Sequence, residues 1–120
     1  IIRDLPEDLR AGRLYLPTED LRHFNCTEED LKKGRSDKVA SLLRFECERA
    51  KEFYNKARLL FPAADRRQLV AAEIMGGIYF SILKQVESSD YDVFSEVVRV
   101  SRIHRALIAV GIWLRMMVRI

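Results

Sequence analysis

The 120-residue sequence is poor in cysteine and in the residues that interrupt regular structure. It has only five glycines, three prolines and two cysteines. With 48% hydrophobic and 32% charged residues it can form a packed core, which excludes a disordered chain. Cys26 and Cys47 form no Cys-x-x-Cys motif. Two isolated cysteines of this kind predict reduced thiols in a cytoplasmic protein, with Cys47 as a small core residue.

The sequence also lacks a strong charge of one sign. Its 21 basic residues are interleaved with 18 acidic ones, for a net charge of +3. A nucleic-acid-binding module would more often cluster its basic residues with exposed aromatic residues, so no nucleic-acid partner is predicted. The apolar run from Ala106 to Leu114 is too short for a membrane span, which needs about 20 residues.

What the sequence does contain is helical pattern from end to end. Residues 1 to 10 read as a helix, and Leu14 to Pro17 should be extended because the residue before a proline avoids the α region. Thr18 is expected to cap a short turn through about Phe24. Thr27 and Asp30 resemble a capping box that opens a helix ending at Gly34. The fold class is therefore predicted to be all-α.

A longer helix is predicted from Asp37 to about Leu60, with Ser36 as its N-cap. Its apolar residues recur every three or four positions, at Val39, Leu43, Cys47, Ala50, Tyr54 and Ala57. The charged residues of this helix, among them Glu46, are expected in solvent.

The next helix, with Asp65 as its cap, is apolar almost all round from Leu69 to Leu83. Such a helix is expected in the centre of a domain. Gly76 and Gly77 each cost about 1 kcal/mol relative to alanine, so they should allow close approach of another backbone or a chain-like ligand. Tyr79 would then lie on or near a cavity wall, although a core tyrosine fits the sequence equally well.

The last third of the chain is predicted to be a connection followed by a helix. Tyr91 to Val100 should be irregular, because a lone strand near Val98 would have nothing to pair with. Ser101 is the expected cap of a helix over residues 102 to 119. His23 and His104 are expected to be exposed or at helix ends.

Asp4, Glu7 and Asp8 form a carboxylate cluster at the front of the sequence. If residues 1 to 10 are helical, Asp4 and Asp8 project from one face with their Cβ atoms about 6 Å apart. Two carboxylates so placed suit Mg²⁺, which is held by oxygen ligands together with water and substrate phosphates. A solvated helix end is the alternative, since acidic pairs with this spacing are common on surfaces.

The cluster stands between Ile-Ile-Arg and Arg-Ala-Gly-Arg-Leu-Tyr-Leu-Pro. This pattern resembles the second aspartate-rich motif of the squalene and phytoene synthase family, the head-to-head prenyl synthases. Similar landmarks follow at Thr27–Leu31, Gly34–Lys38, Glu48–Tyr54, Gly77–Leu83, Asp90–Phe94 and Arg99–Ser101. The resemblance implies that residues 1–120 are the C-terminal part of a single isoprenoid-synthase helical bundle, with a first aspartate-rich motif further upstream.

The resemblance also implies roles for individual residues. Asp4 and Asp8 would hold Mg²⁺ against a prenyl diphosphate, with Arg3 and Glu7 supporting the cluster. Tyr79 would offer an aromatic face to the allylic carbocation, and Gly77 would make room for the substrate. Arg99 is a weaker candidate for diphosphate contact, because Val97 stands where the family has a basic residue.

The implied reaction joins two farnesyl or geranylgeranyl diphosphates head-to-head through a cyclopropyl intermediate. NADPH would be needed only if the product is squalene. The sequence looks closest to bacterial presqualene diphosphate and phytoene synthases, and the 120-residue piece alone should be inactive because it holds one wall of the metal site.

Two further interpretations stay open. Residues 102–119 could rest on a membrane surface as an amphipathic helix, or they could pack against the bundle. The competing class of function is a non-catalytic helical module for assembly or membrane contact, which Val97 and the missing first motif support.

Overall fold

The computed structural model describes residues 1–60, 70–95 and 98–118. Over these residues the fold is all-α, as predicted, with six helices and no strand. The helices are α1 (Leu5–Arg10), α2 (Thr18–His23), α3 (Glu28–Lys32), α4 (Asp37–Leu60), α5 (Val70–Ser88) and α6 (Arg102–Val118).

The first helix begins later than the sequence pattern indicated. Residues 1–4 lie outside α1, and Asp4 is its N-cap, with φ −91° and ψ 7°. Pro6 explains the start, because proline has no N–H to donate and is accommodated only in the first turn of a helix. The prediction of a helix from residue 1 is therefore wrong, although the Asp8 N–H donates to the Asp4 carbonyl at 2.8 Å and keeps the two residues one turn apart.

Of the predicted caps of α2 and α3, only the cap of α3 is present. Thr18 lies inside α2, where Pro17 is the N-cap and no side chain caps the helix, so the predicted Thr18 cap is wrong. The capping box of α3 is confirmed. The Asp30 N–H donates to Thr27 Oγ1 at 3.1 Å, and the Thr27 N–H donates to Asp30 Oδ2 at 2.9 Å. Gly34 follows α3 with φ +96°, a conformation that favours glycine.

The long helix α4 has the predicted start and cap, and it is helical to Leu60, where the described residues 1–60 end. The Val39 N–H donates to Ser36 Oγ at 3.2 Å, and Val39, Leu43 and Cys47 are fully buried. The prediction that all its charged residues are in solvent is wrong at Glu46, which is buried. Glu46 lies three residues after Leu43, so it falls on the face that packs inward.

The hydrophobic core lies among α1, α2, α3, the first half of α4, the last half of α5 and the connection after α5. It is built mainly from Leu5, Leu9, Leu21, Leu31, Leu42, Leu43, Leu83, Val86 and Val93. α5 packs on α4 and α6. Within this chain the first half of α5 is not enclosed, because Met75 is exposed and Ile82 is the first buried residue. The expected place of this helix at the centre of the whole domain stays a prediction. Asp65 and Leu69 lie outside the described residues.

The connection from α5 to α6 is irregular in its described part, as predicted. Asp90 and Tyr91 have φ of +57° and +62°, a conformation rare for residues with side chains. The turn is held because Arg35 Nε donates to the Asp90 carbonyl at 3.0 Å and the Tyr91 N–H donates to the Val86 carbonyl at 2.9 Å. Ser101 then caps α6, accepting from the His104 N–H at 3.1 Å.

Candidate active site

The predicted carboxylates lie at the start of α1, beside an arginine. Arg3 Nε donates to Asp4 Oδ1 at 2.9 Å, and Arg3 Nη2 donates to Asp4 Oδ2 at 3.3 Å. The hydrogen-bonded Arg3 guanidinium lowers the pKa of Asp4, although partial burial acts in the opposite direction. Asp4 is therefore an ionised carboxylate at neutral pH, and in this state both its oxygens are engaged with Arg3.

Asp8 is held in place by its backbone and keeps a freer carboxylate. Its carbonyl accepts from the N–H groups of Ala11 and Arg13, at 3.1 and 2.8 Å. Its side chain is 16% exposed, and the Arg13 guanidinium lies 3.8 Å from its Oδ1. A backbone fixed at both ends positions this carboxylate without occupying its oxygens, which leaves them available to a cation or a water molecule.

Tyr79 lies on α5 and is 49% exposed. The pKa of Arg3 is raised, first by its hydrogen bond to Asp4 and also by the charges of Tyr79 and Glu7. Arg3, Asp4 and Glu7 therefore lie together at the start of α1, and Tyr79 of α5 is close enough to Arg3 to act on its pKa.

Two aromatic residues that the sequence analysis did not assign to the site stand beside Tyr79. Tyr54 of α4 packs edge-on against Phe80 of α5, with ring centroids 5.5 Å apart. Burial raises the pKa of Tyr54, and the charge of Tyr79 raises it further, which places the two tyrosines near one another. The signal available in the sequence was the position of Tyr54 on the apolar face of α4.

Gly77 makes the close approach that the sequence predicted, and its neighbour is α6. A Cβ atom at Gly77 would lie 2.9 Å from Ile108 Cγ2 and 3.1 Å from Ile112 Cδ1. At Gly76 a Cβ would meet nothing within 4 Å, so the close approach involves only one of the two glycines. The substrate contact expected at Gly77 stays a prediction.

Arg99 is exposed in the connection before α6. Among the described residues, no ion pair or hydrogen bond joins it to Arg3, Asp4 or Asp8. Its diphosphate contact stays a prediction, and Val97 lies outside the described residues.

The donor set fits one side of a magnesium site. Asp4 and Asp8 offer hard oxygen ligands one helical turn apart, which is the kind of ligand Mg²⁺ prefers. Across residues 1–60, 70–95 and 98–118, no group of three or more His, Cys, Asp or Glu side chains is placed to hold a metal ion. These carboxylates would therefore need further ligands from substrate phosphates, water or another part of a larger protein.

The family model described as squalene/phytoene synthase matches residues 1–104. The chain belongs to the squalene/phytoene synthase family. This confirms the resemblance of the aspartate-rich motif and its later landmarks. No solved structure gives a significant match.

Individual relatives in the squalene/phytoene synthase family cover most of this chain. Phytoene synthase of Arthrospira platensis is 42% identical over 99 residues, which are 80% of this chain and 31% of that protein. The 15-cis-phytoene synthase of Synechocystis sp. is 37% identical over 118 residues, 96% of this chain and 34% of that protein. Phytoene synthase of Mycobacterium tuberculosis is 32% identical over 113 residues, 91% and 37% of the respective chains. The chain spans about a third of the length of these relatives.

Proposed function

We propose that residues 1–120 are the C-terminal part of a head-to-head prenyl synthase domain in which Asp4 and Asp8 hold Mg²⁺ against a prenyl diphosphate. The observation that carries this proposal is the α1 cluster. It places Asp4 and Asp8 one turn apart, because the Asp8 backbone N–H donates to the Asp4 backbone carbonyl, in a chain of the squalene/phytoene synthase family.

Mg²⁺ bound there would neutralise the departing diphosphate and orient it. Arg3 would assist, because its guanidinium can exchange a bidentate pairing with the Asp4 carboxylate for the same pairing with a phosphate. That exchange frees the Asp4 oxygens for the cation, while the fixed backbone of Asp8 keeps its carboxylate in place. The pair between Arg3 and Asp4 is then the resting state of the site.

The aromatic residues would serve the organic part of the substrate. The half-exposed Tyr79 offers a ring face to positive charge that develops on the allylic carbon when the diphosphate leaves. Phe80 follows Tyr79 in the sequence, and Tyr54 is close enough for the charge of Tyr79 to act on its pKa. These two rings pack against each other and would help exclude water, which would otherwise quench that cation.

The names of the relatives favour one branch of the family. The three compared above are described as phytoene synthases, so we propose condensation of two geranylgeranyl diphosphates to a phytoene-type product. Such a product would not require NADPH. Farnesyl diphosphate and squalene-type reduction are the alternative, and a product assay with both substrates separates them.

The test uses the natural protein that contains this sequence. Asp4→Asn and Asp8→Asn should each lower turnover by orders of magnitude, because each removes charge that acts on the leaving diphosphate. Asp37→Asn is the matched control, since the Asp37 side chain is fully exposed at the first turn of α4. Near-normal turnover in both α1 variants, with unchanged circular dichroism, would remove the metal role.

An exposed apolar stripe on α6 supports the view that this chain is part of a larger domain. Its residues recur every three or four positions and are each between 50% and 76% exposed: Ile103, Leu107, Val110, Leu114 and Met117. A repeat of about 3.5 residues is the pattern of a seam that packs against another helix. We propose that a helix from the rest of the synthase domain covers this stripe, and that the 120-residue chain alone releases no diphosphate.

A membrane surface is the second candidate for α6. Arg102, Arg105 and Arg115 are exposed, α6 contains no acidic residue, and Trp113 is exposed as well. Basic and interfacial side chains of this kind favour anionic lipid. Within the described residues, none of the helices combines the length and hydrophobicity that crossing a bilayer requires. If the natural protein floats with anionic vesicles, and if salt and Trp113→Ala both weaken this binding, the result would support a surface role for α6. A protein that stays entirely unbound would exclude that role.

The non-catalytic module remains the competing function. It predicts no turnover in the natural protein with either prenyl diphosphate, and no loss on replacing Asp4 or Asp8. Diphosphate release that depends on Mg²⁺ and on both carboxylates would exclude it.

A further inference from the structure

Two acidic side chains meet a single arginine between α2 and α4. Arg49 Nη1 donates to Asp20 Oδ2 at 2.7 Å, and Arg49 Nη2 donates to Asp20 Oδ1 at 3.1 Å. The same Nη1 atom lies 3.6 Å from Glu46 Oε2. Asp20 and Glu46 are each only 8% exposed. The cluster is separate from the α1 carboxylates and has no part in the function proposed above.

The charges in this cluster do not balance if both acids are ionised. One guanidinium can offset one carboxylate, and Asp20 already takes both of its well-directed hydrogen bonds. Glu46 Oε1 is buried and has no hydrogen-bond partner among the described residues. An unpaired charge in such a place costs more free energy than a protonated carboxyl does.

The remaining charges nearby do not change this conclusion. His23 of α2 acts on Asp20, and Glu52 of α4 acts on Arg49. Burial raises the pKa of Glu46 to about 7, and the neighbouring Asp20 carboxylate raises it in the same direction. The neighbouring Glu46 and then the hydrogen-bonded Arg49 lower the pKa of Asp20. The two shifts have opposite directions, so Glu46 is the acid of the pair that binds a proton more readily.

We propose that Asp20 and Glu46 form a pH-sensitive latch between α2 and α4, which holds one proton below neutral pH and loosens when that proton is lost. α2 has only six residues and cannot persist as a helix without tertiary contacts. Loss of the proton leaves both Asp20 and Glu46 negatively charged beside Arg49. Because Asp20 lies on the short helix α2, repulsion between the two carboxylates would move α2 away from α4.

The sign of the pH dependence follows from the two states of Glu46. Its pKa rises from an ordinary 4.5 in the unfolded chain to about 7 in the folded one, so the folded chain holds more protons between these values. The unfolding equilibrium constant should therefore rise with pH in this window, by up to about tenfold per pH unit, and level off above it.

Urea denaturation of the natural protein that contains this sequence, at a series of pH values, tests the latch. Glu46→Gln should flatten the pH dependence between about 5 and 7, because the amide has the shape of the protonated carboxyl and does not titrate. Glu48→Gln is the matched control on the exposed side of α4, and it should keep the wild-type slope. A wild-type slope retained in Glu46→Gln would overturn the proposal.

A direct measurement keeps the proposal testable if Glu46→Gln fails to fold. The Glu46 side-chain carboxyl carbon, followed by ¹³C NMR in the wild-type chain, should titrate with a midpoint near 7. A midpoint near the ordinary value of 4.5 would mean that Glu46 is ionised in the folded chain, and the latch would be excluded.

Discussion

Gly76 and Gly77 are neighbours in one helix and differ in what surrounds them, so they form a matched pair for testing how α6 packs on α5. Replacing each glycine with alanine makes the same change to the helix backbone. Only at Gly77 does the added Cβ meet another element, with Ile108 Cγ2 at 2.9 Å and Ile112 Cδ1 at 3.1 Å.

The expected magnitudes follow from these distances. Alanine in a helix interior is more favourable than glycine by about 0.5–1 kcal/mol, so Gly76→Ala should stabilise the chain by about that amount. Carbon atoms pack best at about 3.5–4.0 Å. The contacts at Gly77 are shorter, and overpacking costs about 1–3 kcal/mol. The two variants should therefore differ by about 1–3 kcal/mol, with Gly77→Ala the less stable, and Gly77→Leu should be worse still.

Trp113 provides the assay, because it is the single tryptophan of the chain and lies on α6 next to Ile112. Its fluorescence in a urea titration reports changes in the surroundings of α6, and circular dichroism reports total helix. With a urea dependence of about 2 kcal/mol per molar, the fluorescence midpoints of the two alanine variants should differ by about 0.5–1.5 M.

A second substitution identifies the source of the effect. Ile108→Ala removes the nearest methyl group, so combining it with Gly77→Ala should recover about 1 kcal/mol or more relative to the sum of the single changes. The packing argument is refuted if Gly77→Ala proves as stabilising as Gly76→Ala, or if the double variant shows no coupling.

Three further predictions concern other parts of the chain. Thr27→Ala should lower the free energy of unfolding in urea by about 1 kcal/mol, because it removes the cap of α3. Thr18→Ala removes no cap bond and should change the free energy of unfolding little. Equal effects of the two substitutions would contradict the capping assignment. The pKa of Asp30 is lowered to about 2 from an ordinary 3.8 by its bonds to Thr27 and Lys38, so the melting temperature should fall as pH drops from about 4 to 2. Asp30→Asn should remove that part of the pH dependence, and an unaltered acid profile would speak against it. In the natural protein, Tyr79→Phe should keep the fold and modestly reduce turnover or change its product. Tyr15→Phe, which also alters an exposed tyrosine, should leave both fold and turnover unchanged. Identical turnover and product profiles in the two variants would make Tyr79 a packing residue only.

The elements whose signals are local were predictable from the sequence. The capping box of Thr27 and Asp30 involves residues three apart, and the start of α4 follows from Ser36 and an apolar repeat within one helix. The late start of α1 is also a local signal, because Pro6 lies in its first turn. The spacing of Asp4 and Asp8 fits a helix from residue 1 equally well, so it does not locate the start. Family membership was predictable because it rests on short motifs that can be read without coordinates.

Features that depend on distant residues could not be predicted in the same way. Whether α5 is enclosed depends on which other helices cover it, and composition alone does not provide that information. The burial of Glu46 depends on Asp20, which lies in another helix 26 positions earlier. Likewise, the ion pair of Arg3 and Asp4 joins neighbours in sequence, but the approach of Tyr79 to Arg3 joins α5 to the start of the chain and depends on the tertiary fold.

The uneven burial of the helices has a consequence for hydrogen exchange. Side chains with almost no exposure are concentrated in α1, α3, the first half of α4 and the end of α5, and the described part of α6 contributes none. Backbone amides of α4 near Leu43 should therefore exchange with solvent only on global unfolding, whereas those of α6 should exchange through local opening at much lower free energy. A partner that covers the stripe on α6 would slow α6 exchange toward the rate of α4. The amides of α6 thus act as a built-in reporter of whether the rest of the domain is in place.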